Sequence, residues 1–321
     1  MKTLQWLVRR EFWENKGGFF WAPIIAGAVF LVLNVLGLIA TSAAAGRANI
    51  QVGLIKLDTL INAAPPEAKA AVSTGVDATI LMVTGLLTFV SAVVVFFYCL
   101  GALYDDRRDR SVLFWKSLPL SDRDTVLSKT ISAVLVAPAI GLAAGMVTAI
   151  GTLLILGIAL AFYGQNVFGL FFFEGHPIKM MFLALATLPI TMLWSLPTVG
   201  WLMLCSAWAR SKPFLWAVAG PVGAGIMVSW FDLMKSFKMP DSWFWEHVVS
   251  RMLVSVAPAN WMAIILGEQL EHADTPQEMA EVFNVGTIFT LLGNVELWIG
   301  AAAGIAMLVL ATRIRRNRDD S

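Results

Sequence analysis

An all-α protein built into a membrane is the fold class this sequence predicts, and three observations predict it. Of 321 residues, 58% are hydrophobic and only 14% are charged. A soluble domain carries roughly 25% charged residues, so this chain could not cover a water-facing surface with polar groups. Six apolar runs reach the length of about 20 residues that a helix needs to cross the hydrocarbon core. None of the six contains Asp, Glu, Lys or Arg. The expectation is one transmembrane domain over 1–321, with six transmembrane helices and an interfacial helix at the N-terminus.

Residues 1–18 read as that interfacial helix. Leu4, Leu7, Val8 and Phe12 recur at helical spacing, and Arg9, Arg10 and Glu14 are available to face water. The pair Gly17-Gly18 would let the chain turn into the membrane. Span one follows from Phe19 to about Ala45. Its apolar run is longer than the 7–15 residues or so of a signal-peptide core, so it reads as an uncleaved span.

A loop with Pro65-Pro66 leads to span two, Ala78 to Tyr104. Span three runs from about Ile131 to Tyr163, longer than a bilayer requires, and is expected to tilt, to kink at Pro138 or to project into water. Span four is Met180 to Ala209, span five Phe214 to Phe231, and span six about Leu297 to Thr312. Between the last two, the region 232–296 alternates apolar and polar residues too often to cross. It is expected to lie at, or dip into, the outer leaflet. Asp274-Thr275-Pro276 followed by Glu278 marks a helix start there. The short apolar segment Val282–Gly293 is either re-entrant or the outer half of span six. Gly141 with Gly145, and Gly300 with Gly304, are spaced for close helix packing.

Charge sets the orientation. Sixteen of the 23 basic residues fall on the N-terminal segment, the 105–129 loop, the link at Arg210 and Lys212, and the C-terminal tail. Basic residues favour the cytoplasmic side, so both termini and that loop are expected to be cytoplasmic.

The loop is the most specific feature. Asp105, Asp106 and Asp109 alternate with Arg107, Arg108 and Arg110, and the apolar block Val112, Leu113, Phe114 and Trp115 follows, closed by Lys116. Leu118-Pro119 breaks the helix. Ser121 with Asp124 matches a capping box, so the next helix should begin near Asp122, well before lipid. A loop that only set topology would not need acids in equal supply, an exposed aromatic block or a capped turn. Such a block ringed by charge is typical of a docking site.

The segment DDRRDRSVLFWKSLPLSDRDTVLSK resembles the cytoplasmic loop of bacterial ABC-2 type transporter permeases, the membrane subunits of ATP-driven transporters. Six spans, an amphipathic N-terminal helix and an outer region before the last span are similar to that family over nearly the whole chain. The resemblance implies that residues 105–125 carry a coupling helix seated in a cleft of a separate ATPase subunit. Asp106, Arg107, Arg108, Asp109, Arg110, Leu113, Phe114, Trp115 and Lys116 would be the docking residues. It also implies two ATPase subunits holding ATP and Mg, a second permease copy (a homodimer), and a bacterial inner-membrane location.

Other chemistries find little support. There is no G-x-x-x-x-G-K-[ST] loop, so ATP hydrolysis by that mechanism belongs to another chain and no cofactor is expected on this one. His176, His247 and His272 are too scattered for metal ligation. Cys99 and Cys205 sit in apolar runs as buried small hydrophobes. With a net charge of +1 nothing points to nucleic acid. Glu296, the acid nearest a span interior, is expected to snorkel or pair at the outer boundary. Thr191, Ser195 and Thr198, beside Pro189 and Pro197, are candidates to line a substrate path in span four, or to pack between helices. An ion-coupled secondary transporter would need intramembrane ionisable groups, against which the charge-free spans argue. A membrane anchor or sensor is the remaining alternative.

Overall fold

Backbone in hydrocarbon has no water to satisfy its N–H and C=O groups, so a chain this apolar must make its hydrogen bonds within helices. The computed structural model describes residues 2–47, 66–109, 121–165, 167–169, 171–172, 176–231, 233–237, 240, 242–265 and 284–317, and among these there is no strand. Among the described residues, six helical stretches are long and apolar enough to cross a bilayer: Gly17–Ala44, Val72–Arg108, Asp122–Phe162, Pro177–Trp208, Pro213–Trp230 and Val295–Asn317. The protein is an all-α polytopic membrane protein of six spans.

Spans two, three and four form the centre. Val95, Cys99, Leu103, Val126, Ala133, Leu202, Met203 and Ala311 make one buried core toward the end of the bundle that carries both termini. Ile80, Leu87, Leu153, Ile190, Trp194, Trp261 and Leu297 make a second toward the opposite end. Span one leaves Val29, Leu33, Leu36 and Ile39 exposed, as an outer helix facing lipid would. Cys99 and Cys205 are both free and buried.

The glycine pairs do what their spacing predicts. A Cβ on Gly145 would stand 2.8 Å from the Thr84 Cα of span two, and one on Gly304 would overlap the Leu196 backbone of span four. Span six therefore packs directly on the stretch that Pro197 loosens, since proline leaves the carbonyl one turn earlier without its N–H partner.

Four details depart from expectation. Gly17-Gly18 make no sharp turn. The Asn15 and Phe19 N–H groups bond to Glu11 and Asn15 carbonyls, and the helix continues through a wide π turn at Gly17–Trp21. Span three widens into a π turn at Ser132–Val136, just ahead of Pro138, so the ring is accommodated by slack rather than a break. Span four is two helices, Pro177–Ala186 and Leu188–Trp208, joined at Thr187 ahead of Pro189. The chain after span five folds back on the bundle: a π turn at Trp245–Val249 and the short helix Ser250–Leu253 pack against spans four and five.

Of the 282–293 segment, Val285–Leu291 is its own short helix, capped by Asn284, whose side chain accepts from the Thr287 N–H. Span six starts afresh at Val295. The helix start read at Asp274–Pro276 lies outside the described residues.

Candidate functional site

The N-terminal helix, Lys2–Glu14, turns its apolar stripe onto the bundle, burying Leu7, and leaves Trp6 and Trp13 exposed on the other side. Arg9 lies over the Trp6 ring and Lys16 over Trp13, an arrangement suited to the polar–apolar boundary of a bilayer. One turn beyond Leu7 the same stripe carries an acid. Glu11 is fully buried. A carboxylate cannot sit there uncompensated, and the chain brings three partners to it. Lys129 Nζ lies 3.3 and 3.4 Å from its two oxygens, Arg10 Nη2 is 2.8 Å away, and the Tyr98 hydroxyl donates at 2.9 Å.

From Lys129 the network continues to the loop and to the other terminus. Lys129 reaches Asp106 at 3.6 Å. The second Asp106 oxygen accepts from Arg315 Nη1 at 3.0 Å, and Arg315 Nε donates to Asp122 at 3.1 Å. Arg10, Glu11, Lys129, Asp106, Arg315 and Asp122 thus form a chain of alternating sign. It ties together the N-terminal helix, the end of span two, the base of span three and the end of span six. Lys129 and Arg315 expose about a twentieth of their side chains (5% and 4%), so screening by water is weak. Glu11, Glu14, Tyr98, Asp105, Asp106 and Lys129 also line an open cleft of about 340 Å³. Desolvation holds Glu14 above the ordinary carboxylate range, with Arg10 acting against the shift.

Span three begins as the capping box predicts. Ser121 Oγ accepts from the Asp124 N–H at 3.1 Å and donates to its carboxylate at 2.8 Å. The helix is therefore rigid from Asp122 onward, ahead of its apolar run.

The sequence-predicted docking residues divide three ways. Asp106 and Arg107 turn inward. Arg107 Nη2 donates to the Ser206 and Ala209 carbonyls at 2.6 and 2.9 Å, satisfying the open end of the helix Leu188–Trp208. Ser206 Oγ answers by accepting from the Leu103 and Tyr104 N–H groups. Arg108 and Asp109 face solvent, paired to each other at 3.1 Å, and Asp105 joins Arg108 at 3.6 Å. Arg110, Leu113, Phe114, Trp115 and Lys116 lie outside the described residues.

In span four, Thr191 and Ser195 hydrogen-bond to carbonyls of their own helix, at Thr187 and Met192. Thr198, fully buried, donates to the Arg251 carbonyl at 2.9 Å and accepts from the Ser255 N–H at 3.0 Å. Ser195 and Thr198 are thus buried packing positions in this structure.

Sequence reading missed Glu11, Arg315 and Arg251 as partners. Two of them had a signal. Glu11 continues the spacing Leu4, Leu7, Val8, and Arg315 lies four residues after the buried Ala311 on one face of span six. An ionisable residue on an apolar stripe announces a buried partner. Arg251 had no such signal. Counted among the basic residues of an outer loop, it is 4% exposed and inside the bundle.

Among the described residues, no three His, Cys, Asp or Glu side chains assemble as a metal site. His176 pairs with Asp77, and His247 stacks on Trp243. Comparison with protein-family models, with curated proteins and with solved structures finds no match to this chain.

Proposed function

We propose that this chain is the membrane-spanning permease subunit of an ABC transporter, moving a substrate outward across a bacterial inner membrane. In this reading ATP and Mg are held by two copies of a separate ATPase subunit, and the permease works as a homodimer. The observation that carries it is the alternating ion chain behind the 105–125 loop. A docking loop must pass a push to the spans. Asp106 links the start of this loop to Lys129 and Arg315, and Arg107 links it to the end of span four. Movement of the loop would therefore be shared by spans two, three, four and six and by the N-terminal helix. Arg108 and Asp109 face outward for a partner, with Leu113, Phe114 and Trp115 as its apolar anchor.

The test is co-purification with a separate phosphate-loop ATPase subunit, and the ATPase activity of the assembly. Burying an aromatic anchor often contributes 2 kcal/mol or more to binding, about thirtyfold in affinity. Phe114→Ala and Trp115→Ala should thus release the ATPase while membrane insertion continues. Full partner binding and full hydrolysis by both variants would refute the docking role.

A second reading, an ion-coupled secondary transporter, draws on Arg251, a cation the fold carries into the bundle. Transport that persists in vesicles lacking any ATPase, and collapses with the ion gradient, would select it.

A further inference from the structure

The segment that returns to the bundle after span five places a cation where the spans themselves have none. Arg251 lies beside Thr198, near the midpoint of the helix Leu188–Trp208, with its guanidinium carbon 3.4 Å from the centre of the Trp194 ring. Its backbone is anchored, because its carbonyl accepts from both Thr198 and Ser255. Its guanidinium is not equally well served. Nη2 makes one long bond, 3.4 Å, to the Glu296 carbonyl at the head of span six, and Nη1 is buried without a partner. One oxygen of the Glu296 carboxylate is also buried without a partner.

An orphaned buried donor and an orphaned buried acceptor, of opposite charge and within one residue of contact, are costly side by side. Each forfeits its hydration and gains nothing for it. The corner is also filled. A Cβ on Gly300 would overlap the guanidinium, so glycine there leaves room for the Arg251 side chain as it lies against span six. Trp194 is held by its own bond to Asn260 at 3.1 Å. The partner that most readily meets both needs is the other member of the pair. A small slide of span six against the returning segment would exchange the long carbonyl contact for a direct guanidinium–carboxylate pair.

We propose that Arg251 and Glu296 form a polar latch between the returning segment and the head of span six. The latch is open in this structure and closes to an ion pair when the two elements shift. Resting on the transport reading above, the chain alone populates both the open and the closed latch, and the docked ATPase drives it toward the closed one. Arg251 is then a positioning residue, acting through span six.

The experiment is a double-mutant cycle with Arg251→Gln, Glu296→Gln and both together, plus the charge swap Arg251→Glu with Glu296→Arg. Two readouts separate the latch from the transport reading. The first is hydrogen exchange of the 245–257 amides in the full chain alone. The second is hydrolysis by the chain assembled with its ATPase. Each single change should speed exchange about tenfold, the double no more than about twofold further, and the swap should recover most of the protection. Hydrolysis should follow the same pattern. Coupling in exchange with no effect on hydrolysis would leave the latch standing and overturn its ATPase-driven closure. Independent effects that multiply to about a hundredfold, with no recovery by the swap, would overturn the latch itself. Should Arg251→Gln fail to insert, Arg251→Lys with Glu296→Asp supplies the same cycle with both charges kept but the geometry shortened.

Discussion

Replacing Lys129 with methionine tests the ion chain at its most buried link. The change keeps an unbranched apolar stem as far as Cε and removes the terminal ammonium group that reaches Glu11 and Asp106. Glu11, with no exposed surface, then loses a partner 3.3 Å away. At an effective dielectric of about 20, that attraction is roughly 5 kcal/mol before desolvation is counted. Breaking one partner out of a buried pair costs roughly 3–5 kcal/mol, because the other charge is stranded. Glu11 keeps Arg10 and the Tyr98 hydroxyl, and Asp106 keeps Arg315, so the lower end, about 3 kcal/mol, is expected. The assay is SDS titration of the purified chain in mild micelles, followed by tryptophan fluorescence. Arg108→Ala is the control. With 61% of its side chain exposed, Arg108 should leave stability close to that of the unchanged chain. Combining Lys129→Met with Glu11→Gln removes the stranded charge and should recover about half of the loss. Equal costs for Lys129→Met and Arg108→Ala, with no recovery in the double variant, would refute the claim that this junction is a structural unit.

Three further outcomes follow from the same geometry. In a Cys99→Ala, Cys205→Ala background, a cysteine at Arg108 should resist an impermeant thiol reagent on intact cells while one at His176 reacts, and the reverse pattern would invert the topology. Gly304→Val should prevent spans four and six from meeting and lower stability by about 3 kcal/mol or abolish insertion, because the added carbons overlap Leu196 backbone rather than a movable side chain; a fully stable variant would show that the contact is dispensable. Thr198→Val keeps the shape but removes two buried hydrogen bonds to the returning segment, which should cost about 1–3 kcal/mol and raise protease sensitivity near 245–257.

What the sequence determined by itself was everything governed by the solvent and by local chemistry. Apolar runs long enough to cross lipid have one backbone solution, so six spans were legible from length and charge alone. Ser121 and Asp124 cap a helix using atoms three residues apart, and Gly145 and Gly304 permit close approach wherever they stand. These need no knowledge of the neighbour. The tertiary structure decided which charges are partners. Glu11 and Lys129 are 118 residues apart, and Asp106 and Arg315 are 209 apart. A basic residue in a loop reads as solvated until the fold shows what surrounds it. Arg107 and Arg108, adjacent in the chain, illustrate this. One closes the end of span four and the other faces water, because neighbouring side chains on a helix point about 100° apart. Arg251 carries the point furthest. The apolar runs of the spans are free of charge, but the bundle is not, since a segment too polar to cross lipid could still fold back among helices that do. Its cation is tolerated there by Trp194 beside it and Gly300 across from it, neighbours that only the packing of spans four and six brings together.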